Sequence, residues 1–345
     1  MTEQHSQEFK AIIRAVGRGR KLQRNLTFEE AADAMRLILG DPAISDAQIG
    51  GFLVTMRVKD ESTDELRGFL VGVADLLVPL APNVDGLLDL ALPYDGKAKH
   101  LQTGVIAALV VAAAGVPVLL HGADDIPTKN GVGPLNLLRA LGYPADNAPS
   151  LVEADLRQRN FGALNLAHVL PAWTALTSLR HAFGLRTLMN TIEKMFNPAR
   201  APLHISGFYH GSYLARLPHV LPGSRDNWII LGEEGSIDVR PGKKTRVFHA
   251  EGEEMVETVI NAPDYGFETV VPLEMPNDPA AHAEALRHAL DEASGPAFDQ
   301  IQLTAATLLW MVQRVENIPA GLELAGQLLR EGQIRPYLER TPQLS

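Results

Sequence analysis

The sequence predicts a small all-helical N-terminal domain joined to a larger α/β domain with a mostly parallel central sheet. Three observations predict this. Three capping-box patterns with helical apolar spacing fall within the first 80 residues. A strand–loop–helix–strand run follows between residues 87 and 120, the unit from which parallel sheets are built. Beyond it, short apolar runs alternate with helix-length segments.

In chain order, Phe9, Ile12, Ile13 and Val16 stand at helical spacing, and Gly17 and Gly19 end that helix. Thr27 with Glu30 opens a second, whose apolar face is Phe28, Ala31, Ala32, Met35, Ile38 and Leu39. Ser45 with Gln48 opens a third and Ser62 with Glu65 a fourth. Leu87–Leu92 and Val116–Leu120 read as buried strands flanking an apolar helix over 103–114. Further strands are expected at Leu203–Ser206, Trp228–Leu231 and near Thr269–Val271. Helices are expected at 150–159, 171–182, 186–195, 279–294, 299–314 and 319–331. The domains are placed at 1–82 and 83–345. In open α/β sheets ligands bind outside the carboxyl ends of the strands. That draws attention to the segments 95–100 and 121–133.

Hydrophobic residues at 46% and charged residues at 21% exclude a disordered chain. The absence of cysteine excludes disulfides and thiolate metal sites. The N-terminus lacks the order of a secretory signal, and the apolar run Val105–Leu120 is interrupted by Gly115 and Pro117. A cytoplasmic protein with no membrane partner is expected. The net charge of −10 opposes a wholly basic nucleic-acid binder, but charge is unevenly spread. Lys10, Arg14, Arg18, Arg20, Lys21 and Arg24 follow one another with no acid between Glu8 and Glu29. Arg240, Lys243, Lys244 and Arg246 form a second basic cluster. Either is a solvated surface or a phosphate-contacting one.

The segment from Ser178 to Ala199 resembles the anthranilate phosphoribosyltransferase family. Arg180, Gly184, Arg186, Thr187, Asn190, Asn197, Pro198 and Ala199 stand at that family's spacing without a gap. Leu26–Ala31, Ile44–Ile49 and Met56–Ser62 are similar to its helical domain, and recognisable stretches run from about residue 8 to 275. The resemblance implies a helical domain completed by helices at about 170–195, a homodimer, and chemistry on phosphoribosyl diphosphate with magnesium.

Three motifs depart from the family pattern. Its glycine-rich diphosphate loop reads Pro93-Tyr-Asp-Gly-Lys-Ala-Lys-His100 here. One glycine remains and Lys97, Lys99 and His100 are present, so a backbone cradle is replaced by a flexible basic tip. The second motif keeps only His121 and Gly122. The magnesium-holding Asp-Glu pair is lost, leaving Asp238 between Ile237 and Val239, with Glu233 and Glu234 nearby. This pattern is similar to a divergent branch, the YbiB-like proteins, which implies loss of the parent activity and sequence-nonspecific binding of DNA or RNA. The expected contacts are Arg14, Arg18, Arg20, Lys21, Arg24, Lys97, Lys99, Lys243 and Lys244, with no cofactor. The alternative is a phosphoribosyltransferase or nucleoside phosphorylase-like enzyme with an altered pocket. His121 and Arg180 would then be catalytic, Lys97 would line the site, and magnesium, with Asp238 as its candidate ligand, would accompany phosphoribosyl diphosphate.

Overall fold

Local chemistry sets the first four helices: α1 Thr2–Gly17, α2 Phe28–Gly40, α3 Asp46–Lys59 and α4 Thr63–Ala74. The computed structural model describes residues 2–19, 21–221 and 225–339. All three capping boxes close: Thr27 with Glu30, Ser45 with Gln48, and Ser62 with Glu65. Each satisfies backbone N–H groups that a helix start leaves without partners. The helices α2 and α4 pack almost backbone to backbone. A Cβ on Gly68 would lie 2.3 Å from the Phe28 carbonyl oxygen, and one on Gly72 would lie 2.3 Å from that of Ala32.

The α/β part begins with β1 Leu88–Ala91, α5 Gly104–Ala113 and β2 Val118–Gly122, as the pattern predicts. It continues through α6 Pro134–Ala140, α7 Pro149–Arg159 and β3 Phe161–Asn165. Three short helices follow, α8 Pro171–Ala175, α9 Thr177–Phe183 and α10 Leu188–Ile192. Then come β4 Leu203–Phe208, α11 Leu217–Val220 and β5 Asp226–Leu231. A hairpin, β6 Lys244–Glu251 and β7 Glu254–Asn261, precedes α12 Pro279–Glu292, α13 Pro296–Met311, α14 Ile318–Arg330 and α15 Arg335–Leu338.

The sheet has seven strands in the order β3-β2-β1-β4-β5-β6-β7. The first five are mutually parallel and the hairpin is antiparallel. Nine of the ten α5 residues are buried, from Gly104 to Ala112, because the helix is enclosed between the sheet and α13. The opposite face shares a second core with the helical part, in which Leu119 and Leu164 meet Phe52, Trp173 and Met189. There α8, α9 and α10 pack on α2, α3 and α4.

Two expectations fail. Thr269–Val271 is not a strand, and β3, β6 and β7 lie where no strand was expected. In β3, Gly162 breaks the apolar run, yet a Cβ there would come within 2.9 Å of Val152 and Leu156. The hairpin's outer positions carry Lys244, Arg246, Glu254 and Glu257, which hides its period from an apolar search.

Candidate active site

The strand order reverses direction between β1 and β4, the position at which doubly wound sheets hold ligands. A cleft of about 610 Å³ opens there, over the loops that follow β1 and β5. It is lined by the cationic residues Lys99, Lys129, Arg186, Arg240 and Lys244, by His100, and by Glu233, Glu234 and Asp238. Asp95 collects two of the cations: Arg186 Nη2 donates to it at 2.6 Å, and Lys129 Nζ lies 3.2 Å away. Burial pulls the Lys129 ammonium below its ordinary value, against the opposing charge of Asp95. Under the cleft floor, Lys194 Nζ donates to the Gly207 carbonyl at 2.7 Å and sits 4.8 Å from the Phe208 ring centroid. Burial lowers that lysine to about 7.

The loop after β1 is not a flexible tip. It is tied to the segment 130–133 by an antiparallel bridge between Lys97 and Val132, and the Gly131 N–H donates to the Asp95 carbonyl at 2.9 Å. Gly131 is needed there, since a Cβ would lie 2.5 Å from the Lys97 backbone. Lys97 itself turns inward and is fully buried. Its ammonium donates to Asp238 Oδ2 at 2.5 Å and to the Leu101 carbonyl at 2.9 Å. Lys97 is therefore neither a surface phosphate contact nor a lining residue. Lys99, two residues on, is exposed on the cleft wall.

The backbone N–H groups that remain on this loop already hold an anion. Glu234 accepts from the Ala98 N–H at 2.8 Å and the Lys99 N–H at 3.2 Å, and its Oε1 lies 3.0 Å from His100 Nδ1. Burial alone would raise this carboxyl, but those donors and the Lys129 charge outweigh it and hold Glu234 below the usual carboxylate range. Glu234 reaches the loop from a left-handed backbone conformation at φ 53°, where non-glycine residues are uncommon.

His121 lies inside the sheet face and does not reach the cleft. It is fully buried, hydrogen-bonded through Nδ1 to the Tyr94 hydroxyl, with Nε2 3.1 Å from Asp89 Oδ1. The other Asp89 oxygen accepts from His204 Nδ1 at 2.6 Å. Burial would raise Asp89, but His121 and His204 together hold it far below the usual carboxylate range. Arg180 is also enclosed. It forks onto Glu193, which accepts from the Trp173 indole N–H at 3.0 Å as well. Neither side chain lines the cleft, so the structure does not bring His121 and Arg180, the catalytic candidates of the alternative enzyme reading, to it.

A second cavity of about 570 Å³ is lined by Tyr94, Asp125, Asn136, Thr177, Ser178 and His181. Its polar groups are hydroxyl, amide, imidazole and carboxylate. His181 Nε2 lies 2.8 Å from the Asp125 carbonyl oxygen.

The carboxylates present do not fit a magnesium site. Asp238 is engaged by Lys97, Ser236 and Thr103, Glu233 by Arg240, and Glu234 by the loop N–H groups. A hard cation needs carboxylate oxygens facing it, and these face ammonium, guanidinium and N–H donors.

Of the basic arm, Arg14, Arg18 and Lys21 are exposed, and Arg20 lies outside the described residues. Arg24 is forked onto Glu30, at 2.5 and 2.6 Å. Lys243 and Lys244 are exposed at the start of the hairpin, and Lys244 lines the cleft. Sequence reasoning missed Asp95, Lys129 and Lys194. Arg186 was visible in the 178–199 segment, but its partner Asp95 is 91 residues away.

Residues 10–75 match the helical bundle domain of the glycosyl transferase family and residues 97–335 match its a/b domain, and the chain belongs to that family. It is 28% identical to the anthranilate phosphoribosyltransferase of Methanopyrus kandleri, over 97% of this chain and 99% of that protein. It is 29% identical to that of Rhizobium meliloti, over 91% of this chain and 93% of that protein. The crystal structure of anthranilate phosphoribosyltransferase from Thermus thermophilus superposes with a TM-score of 0.81 at 26% identity, covering 96% and 97% of the two chains. These likenesses overturn the expectation of nonspecific DNA or RNA binding: the relatives matched end to end are phosphoribosyltransferases. The burial of Lys97 removes one of the expected contacts, while Arg24 is exposed and paired with Glu30. No helix among the described residues is long and apolar enough to cross a membrane.

Proposed function

We propose that the chain is a phosphoribosyltransferase whose acceptor differs from the aromatic acid named for its relatives. The observation that carries the transfer reading is the cleft itself: Lys99, Lys129, Arg186 and Lys244 converge where the sheet order reverses. Such cations stabilise charge that builds on a departing diphosphate, and they do so best in a partly enclosed cleft. Lys99 and Lys244 meet phosphate oxygens as side-chain charges, the role left to them once the glycine cradle is gone. Asp95 holds Lys129 and Arg186 in place.

The acceptor reading rests on Arg180, which the resemblance to the anthranilate phosphoribosyltransferase family implies lies near the aromatic acceptor. Its guanidinium is neutralised by Glu193 and cannot greet an acceptor's carboxylate. The adjoining cavity instead offers Ser178, Thr177, Asn136 and His181, groups that hydrogen-bond a neutral nitrogen acceptor. The experiment is a pyrophosphate-release assay with 5-phosphoribosyl 1-diphosphate, with and without magnesium, against anthranilate and a panel of neutral N-heterocycles and amines. Release with a neutral acceptor but not with anthranilate supports the reading. Release with anthranilate alone removes the acceptor claim, and failure to bind 5-phosphoribosyl 1-diphosphate under either condition removes the transfer claim.

A further inference from the structure

A cavity of about 840 Å³ lies at the opposite end of β5 from the cleft. Arg225, which lines it, immediately precedes β5, whereas Gly232, which lines the cleft, immediately follows it. Six strand residues separate the two, about 20 Å at the usual rise per residue. The cavity belongs to a different place in the molecule and is larger than the cleft. Its walls are apolar: Leu70 and Val73 on α4, Met195 and Phe196 beneath, and Leu221 before β5.

Among the polar residues that share this lining, Arg225 is the most buried. Arg225 is only 9% exposed, and its Nε and Nη1 have no hydrogen-bond partner among the described residues. Burial lowers the guanidinium from its ordinary value despite the attraction of Asp89, whose oxygens already face His121 and His204. Buried cations are normally paired and hydrogen-bonded, so a guanidinium with two unmatched donors on the wall of an apolar cavity is a recognition element for an anion. Among the described lining residues the rim has the same bias: Arg67 and Arg200 against Glu253.

We propose that this cavity binds an amphipathic carboxylate, with the carboxylate against the Arg225 guanidinium and the alkyl body between α4 and Leu221. The volume is within the range of pockets that enclose small organic ligands, roughly 300–1,000 Å³. An occupant touches both α4 and the segment before β5, so it joins the helical part to the sheet at a point remote from the cleft.

Isothermal titration of sodium decanoate into the full chain tests this. Saturable binding at one site is expected, at least tenfold weaker in Arg225→Gln and several-fold weaker in Arg225→Lys, which keeps charge but loses the guanidinium. Leu70→Trp, which fills the cavity and leaves Arg225 intact, is expected to abolish binding. Decanol, with the same chain and no charge, is expected to bind at least tenfold more weakly. Absence of saturable decanoate binding to the unmodified protein, equal affinity in Arg225→Gln or Leu70→Trp, or equal affinity for decanol would each overturn the proposal. Circular dichroism of each variant separates lost binding from lost folding, and Arg225→Lys keeps the test open if Arg225→Gln does not fold.

Discussion

The ammonium of Lys97 and the carboxylate of Asp238, 141 residues apart in sequence, meet at 2.5 Å with neither side chain exposed. The two residues that alter the diphosphate and metal motifs are thus partners of each other. Thr103 Oγ1 and Ser236 Oγ complete the shell around Asp238, at 2.9 and 3.0 Å. A buried pair is costly to break because the survivor is left charged and unmatched. Lys97→Met or Asp238→Leu alone is expected to lower stability by about 3–5 kcal/mol. The double variant is expected to lose less than either single change, because no lone charge remains. Urea midpoints of the three variants check this, and additive losses would show that the two residues do not act as a pair.

Glu234 occupies the backbone donors that an incoming phosphate would use, so its removal has a predictable sign. Glu234→Ala frees the Ala98 and Lys99 N–H groups and removes a negative charge from the cleft. Pyrophosphate affinity is expected to rise by about tenfold, equivalent to about 1.4 kcal/mol. Unchanged or weaker binding in a titration at neutral pH would place the phosphate elsewhere. The same contact has an acid limit. The folded Glu234 is held below its unfolded value, so its contribution to stability is present above that unfolded value, near 4.5, and fades as pH falls through the lower folded value. Protection of the Ala98 and Lys99 amides, measured as exchange relative to the unstructured rate at the same pH, should therefore hold at neutral pH and fall only in acid.

Lys194 gives the opposite slope. Its folded value of about 7 lies below the ordinary 10.5, so the unfolded chain binds the extra proton throughout that window. Stability should increase with pH from about 7 to 10.5 through this group, and below 7 the full cost of burying the charge is felt. In Lys194→Met that contribution disappears. The thermal midpoint of the unmodified protein minus that of the variant, followed across pH 6–10, should rise with pH. A flat difference would mean that Lys194 titrates normally.

The residues that failed to announce themselves share a physical reason. Capping boxes and apolar periods are local, and α1 to α5 were legible from spacing alone. The family's segment at 178–199 was legible too, because a contiguous motif survives in a single chain. What spacing cannot show is which of two charges is neutralised. Lys97 read as a surface cation because its partner is 141 residues away, and Arg180 read as a catalytic candidate of the alternative enzyme although Glu193 lies only 13 residues on. The loop glycines lost from the diphosphate motif pointed to a loosened tip. The bridge to Val132 and the close approach of Gly131 make it a fixed one.

Glu65 shows both kinds of information in one side chain. Its capping role toward Ser62 is written in the four-residue spacing and is realised, with the Ser62 N–H donating to it at 2.7 Å. Two further contacts are long-range in sequence or three-dimensional in origin: the Leu26 N–H donates at 2.8 Å, and Lys59 Nζ lies at 2.7 Å. Glu65 is fully buried and the Lys59 side chain is 4% exposed, so this is an interior junction binding the start of α2 to the start of α4. A lost helix cap alone costs about 1 kcal/mol. Glu65→Ala should cost more, about 3–5 kcal/mol, because it also strands a buried ammonium. Glu65→Gln keeps acceptor geometry without the charge and should fall between the two. Ser62→Ala, which removes only the reciprocal half of the box, should lie near the lower figure. If chemical denaturation gives Glu65→Ala the same loss as Ser62→Ala, the residue is a cap and nothing more, and the junction with Leu26 and Lys59 contributes no stability of its own.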